Sequence, residues 1–173
     1  MFGGNNRRKA AATIVEAVQP LIRSVAMFRD LPKGFWDDPY VLGYLNGCGS
    51  MFAKLCTGGK INGMDLGLAL TDAMNTLSGG QGAAISSRTL ALHKANDPDM
   101  KLGLNNAVKC VSYSHGLSEF PDDPDIAAAK RIGASMGDAL RDPSDPTPER
   151  TQTSGALSVL LFQQVVRKRL SEG

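Results

Sequence analysis

At four points in this chain a helix-capping residue followed directly by proline opens a segment of helical apolar spacing: Asp38-Pro39, Asp97-Pro98, Asp123-Pro124 and Thr147-Pro148. Each pair is a helix start with a mechanism. The side-chain oxygen accepts from an otherwise orphaned amide of the first turn, and proline at the first helical position lacks only a donor that has no partner there. Proline is also excluded from central strands and from most helix interiors. The four pairs therefore cut the 173-residue chain into helical segments, and the apolar spacing within those segments is 3.6 almost throughout. No stretch keeps strand alternation between turn residues. The expected fold class is all-α, a single-domain bundle of about seven helices over residues 1–173.

The first helix, or pair of helices, is expected from about residue 8 to 30, on the stripe Ile14, Val18, Leu21, Val25 and Phe28. Pro20 predicts a kink or break there, because its ring removes the bond to the Glu16 carbonyl. Residues 1–9 are expected to be flexible. After a loop from Leu31 to Trp36, a second helix runs to about Thr57 with Val41, Tyr44, Leu45, Cys48 and Phe52 inward. Its other side carries Gly43, Gly47 and Ser50. Each interior glycine costs roughly 1 kcal/mol relative to alanine, so a close crossing with another helix is expected there. The same expectation attaches more weakly to Gly63 with Gly67 and to Gly133 with Gly137.

Further helices are expected over about 63–77, 81–94, 97–116 and 124–140, with Met100, Leu104, Ala107, Val108 and Val111 inward on the fifth and Ile126, Ala129, Gly133, Met136 and Leu140 on the sixth. Residues 141–148, with three prolines, read as a loop. The last helix, about 149–170, is apolar on nearly all sides from Ala156 to Val166, which places it centrally or against a second chain. Helices two and five share Asp-Pro followed by Leu-Gly, at Leu42-Gly43 and Leu102-Gly103, but the spacing differs and no internal repeat is assigned.

Composition narrows the partners. With 42% hydrophobic and 21% charged residues the chain suits a folded core, and a net charge of +2 is too small to call for a nucleic acid. The basic runs Arg7-Arg8-Lys9 and Arg167-Lys168-Arg169 lack interleaved aromatics and read as solvated ends. Between them, residues 119–145 hold seven acids against three bases, a net of −4. Three cysteines, Cys48, Cys56 and Cys110, make no disulfide framework, which points to a reducing cytoplasm. Glu16 interrupts the apolar run after the first basic cluster, so no export signal is expected. Nowhere do enough apolar residues follow one another to span a bilayer.

Little in the sequence assembles chemistry. Leu77-Ser78-Gly79-Gly80-Gln81 resembles the signature pentapeptide of ABC-type ATPases, which implies amides at a helix start contacting nucleotide phosphate. No Gly-x-x-x-x-Gly-Lys-Ser/Thr accompanies it, and Gly58-Gly59-Lys60 runs into Ile61, so the string reads as a helix stop and restart. His115 is expected as a core or cap histidine and His93 as a helix C-terminal cation. Neither has a second ligand at metal spacing, so no metal and no cofactor are expected. The acid clusters at Asp37-Asp38, Asp97/Asp99 and Asp122-Asp123/Asp125 read as caps. Phe35-Trp36, continuing to Tyr40 and Tyr44, reads as a staple at a loop-to-helix junction or, if exposed, an anchor for a partner.

The function expected on this basis is non-enzymatic protein association, as a homodimer, through Trp36, Tyr40, Leu160 and Phe162. A second reading is a helical bundle holding a small apolar ligand or cofactor near His115, Cys110 and Met100. A third is an enzyme of unassigned reaction, with an acid pair and His115 as candidates.

Overall fold

The structure, a computed structural model, describes residues 3–26, 30–135 and 144–171. Its elements are α1 (Gly3–Ala26), α2 (Pro39–Cys56), α3 (Gly63–Leu77), α4 (Gly82–Lys94), α5 (Pro98–Ser114), α6 (Pro124–Ser135), α7 (Pro148–Ser158), a π-helical segment (Val159–Gln164) and α8 (Val165–Ser171). The dihedrals at Val159 and Val165 stay helical, so the last three elements form one rod. Among the described residues there is no strand, and no helix is long and apolar enough to cross a membrane. Phe28, Met136, Gly137, Leu140 and the loop's Arg141 to Pro143 lie outside the described residues.

Three of the four Asp/Thr-Pro starts cap as expected. Asp38 Oδ1 accepts from the Val41 amide at 3.0 Å, Asp97 Oδ1 from Met100 at 2.9 Å, and Asp123 Oδ1 from Asp125 and Ile126 at 2.9 and 3.2 Å. Thr147 is an N-cap without a capping bond from its hydroxyl. Its amide and its hydroxyl both donate to Asp145 Oδ1 instead, at 2.7 and 3.4 Å.

Pro20 does not divide α1. Both Pro20 and Glu16 face outward, so the lost bond falls on the solvent side and the helix continues through it. Residues 3–9, expected to be flexible, form the first turns of α1, where Arg7 makes a two-pronged contact with Asp72 of α3 at 2.8 and 3.0 Å.

The centre of the bundle is α2, not the last helix alone. Tyr40 to Leu45, Gly47 to Gly49 and Ala53 are all buried. On one face α2 runs parallel to α5 at very close range: a Cβ on Gly43 would stand 2.1 Å from the Met100 carbonyl oxygen, and one on Gly103 2.2 Å from that of Tyr40. One turn on, Gly47 faces Leu104 and Ala107, so the expected small-residue crossing is present. On another face Gly49 admits Leu70 of α3 and Ile14 of α1. Gly133 of α6 lies against Gln152 and Thr153 of α7, whereas Gly63 and Gly67 face open space and mark no crossing.

Two charged clusters fix the ends. Arg169 of α8 donates to Asp38 at 3.0 Å and Asp99 at 2.7 Å, with its guanidinium over the Tyr40 ring, and so ties the last rod to the adjacent N-termini of α2 and α5. Lys109 of α5 holds Asp123 and Asp125 at the start of α6, each at 2.7 Å. Partial burial pushes the Asp123 carboxyl up, but the Lys109 ammonium and the Ile126 and Asp125 amides outweigh this and hold it below its ordinary 3.8. A carboxyl depressed in the fold adds stability that is complete above its unfolded pKa and is lost as pH falls through its folded one. Asp123→Asn keeps a capping oxygen but removes the charge. The expected result is a lower urea midpoint at pH 7 and a smaller drop between pH 7 and pH 3 than in the wild type.

Candidate functional site

Two concave features emerge from this packing. The first is a trough of about 450 Å³ where α3 and α4 diverge. The hairpin closes tightly at one end, where Gly82 fits against Thr71 and Asn75. The string Leu77 to Gln81 is the stop and restart between the two helices, with Gly79 and Gly80 at positive φ. From there α4 is loosely seated, with only Gly82 and Ile85 buried. The floor is Leu70, Met74, Ile85, Met100 and Leu104. A second hollow of about 300 Å³ shares His93, Met100 and Leu104 with it and continues to Lys101 and Asn105. Leu90, which lines the trough, is 53% exposed; Leu68 and Met64 of α3, which do not line it, are 40% and 79% exposed.

The second feature is a cavity of about 270 Å³ between α1, α2, α5 and α7. Apolar walls come from Leu21, Phe52 and Val111, and polar atoms from Tyr44, Ser154 and Ser158. Cys48 and Cys110 also line it. Burial pushes both thiols and the Tyr44 phenol upward, so all three are neutral at physiological pH. The Ser154 Oγ is buried without a hydrogen-bond partner, and the Tyr44 hydroxyl lies against the Cys110 thiol.

The residues singled out in the sequence are scattered across these features. Cys110 lines the cavity and Met100 the trough. His115 lies on neither: it is an exposed C-cap of α5, its Nδ1 3.1 Å from the Val111 carbonyl and its ring edge-on to Phe52. No single site joins the three.

Of the four residues expected to meet a partner, Tyr40 and Phe162 are completely buried inside this chain. The Tyr40 hydroxyl donates to the Leu161 carbonyl in the π segment and accepts from Asn106 Nδ2 at 3.0 Å. Phe162 stacks on Tyr44 at 4.6 Å between ring centres. The apolar last rod is thus satisfied centrally, and these two side chains offer no surface. Trp36 and Leu160 are half-buried, with Trp36 edge-on to the buried Phe35.

The acid clusters resolve into caps and ion pairs. Asp38, Asp97 and Asp123 cap helices, while Asp37 faces Arg88 at 3.3 Å and Asp99 faces Arg169. Leu90 and Ser154 had no sequence signal as site residues, and Tyr44 was read only as part of the aromatic group at the start of the second helix. Leu90 falls off the Ile85, Thr89, Leu92 stripe, and an orphaned hydroxyl leaves no trace in a periodicity. The chain matches no protein-family model, no curated protein and no solved structure.

Proposed function

We propose that this protein is an association module that receives an amphipathic helix, acidic on its polar side, in the trough between α3, α4 and α5. The observation that carries the proposal is the trough itself: a concave apolar floor lined also by half-exposed Leu90 of α4, a helix of which only Gly82 and Ile85 are buried. Contiguous exposed apolar surface of this kind marks interaction sites, and an apolar groove between helices suits a helical ligand.

Charge selects the occupant. Lys101 lines the hollow that adjoins the trough, together with Asp97, and Lys94 follows His93 in the chain. The neighbouring acids are engaged, Asp97 as a cap and Asp99 with Arg169. An acidic helix face therefore finds cations there, while a second copy docking the same face on itself would bring like charges together. Homodimerisation, if present, uses another surface. The three thiols, none in a disulfide, fit a reducing cytoplasm as the setting.

A labelled amphipathic peptide with leucines on one face and glutamates on the other tests the proposal. It is expected to bind the full chain, at least about tenfold more tightly than the same peptide carrying lysines, and to weaken as salt rises. Leu90→Asp, at an exposed position, should abolish binding with the melting temperature held. Equal binding of both peptides, or undiminished binding to Leu90→Asp, would overturn the assignment.

A further inference from the structure

We infer that His93 gates the trough by pH, so that the acidic helix is held more tightly once the imidazole is protonated. The inference rests on the reading of the trough as a helix-binding site and adds to it the group whose charge the partner senses. Among the described residues that line the trough, His93 alone has an ionisable side chain. The other polar walls are the neutral Asn46, Thr71, Ser86 and Thr89. The adjoining hollow shares His93 and adds one charge of each sign, Asp97 and Lys101. With a neutral imidazole the two hollows together carry no net charge, and with an imidazolium they become cationic.

The surroundings leave that charge free to act on a ligand. Histidine is the side chain whose charge ordinarily changes between pH 5 and 8. His93 is exposed in the last turn of α4, where a cation meets the negative end of the helix. From α2 and α3 the trough presents no charged side chain among the described residues. On the α5 side, Lys101 repels an imidazolium, and Asp97 already accepts from the Met100 amide as a cap. Within α4, Lys94 follows in the chain and Arg88 faces Asp37 at 3.3 Å. A carboxylate brought by the partner therefore supplies the counter-charge. Binding and protonation then favour each other by the same factor, as linkage requires.

The leucine and glutamate peptide, titrated calorimetrically into the full chain at pH 8 and pH 5.5 in matched salt, provides the test. Affinity is expected to be roughly two- to fivefold higher at pH 5.5, the worth of an exposed ion pair, and the lysine peptide should change in the opposite direction. Glutamate, with an ordinary pKa of about 4.3, stays largely ionised over this range, and any charge it loses would weaken binding rather than strengthen it. His93→Gln, at an exposed position, should bind as the wild type does at pH 8 and keep that affinity at pH 5.5. His93→Lys should bind tightly at both. His115→Gln removes the other histidine, which lies outside the trough, and should leave the response whole. Equal wild-type affinity at the two pH values, or a tightening that survives in His93→Gln, overturns the gate and leaves the trough reading standing. Absence of binding at either pH overturns both, and binding that ignores Leu90→Asp overturns the trough reading.

Discussion

Gly103→Ala is expected to cost about 3 kcal/mol or more, enough to threaten folding of a domain with ordinary stability. The methyl group would be placed 2.2 Å from the Tyr40 carbonyl oxygen and 2.9 Å from the Tyr44 amide nitrogen. Both obstacles are backbone, so no rotamer change relieves them, and α5 must move off α2. Alanine's better helix propensity returns only about 1 kcal/mol. Gly43→Ala meets the Met100 carbonyl from the opposite side, at 2.1 Å, and should be equally damaging. The matched control is Gly67→Ala, where nothing lies within 4 Å; there propensity acts alone and stability should rise by about 0.5–1 kcal/mol. Urea unfolding of the three variants decides it. A Gly103→Ala protein as stable as the Gly67→Ala control would mean that α2 and α5 do not meet at these glycines.

These glycines also show how far the sequence could be read. Gly43 and Gly47 advertised a close crossing because glycine inside a helix is costly without one, but the partner helix could not be named. Leu102-Gly103 carried the other half of the answer. As a likeness to Leu42-Gly43 it suggested repetition; in space the two glycines belong to neighbouring parallel helices, each admitting the other's backbone. The burial of α2 on nearly all sides was hidden for the same reason, since small residues read as a gap in the apolar stripe. In the last rod the reverse happened. Its apolar excess was plain, yet an apolar side chain looks the same whether it meets its own core or another chain, and Tyr40 and Phe162 meet each other's surroundings within one core.

The site was less legible than the fold. Caps are local, and Asp38, Asp97 and Asp123 declared themselves through the proline that follows. Arg169 was expected to be solvated because Asp38 and Asp99, its partners, lie far away in sequence. The cavity depends on what fails to pack between four helices, and the trough on how α4 diverges from α3. Neither property belongs to any single segment.

Phe162→Ala is the second substitution with a large expected effect, a loss of about 3–5 kcal/mol. The ring is completely buried, stacked on Tyr44, and the adjacent Leu161 carbonyl is held by Tyr40. Removing it leaves a void that the π segment is poorly placed to close, because both flanking helices are pinned, α8 by Arg169 and α7 by Arg150, which donates to the Tyr113 carbonyl at 2.9 Å. Leu160→Ala, at a half-buried neighbour, should cost no more than about 1–2 kcal/mol. The pair separates a core role from an interface role. If Phe162 belongs to the core of one chain, its loss lowers the urea midpoint by the same amount at every protein concentration. A loss that grows on dilution, with Leu160→Ala as severe as Phe162→Ala, would instead place this rod between two chains and return the homodimer to the centre of the account.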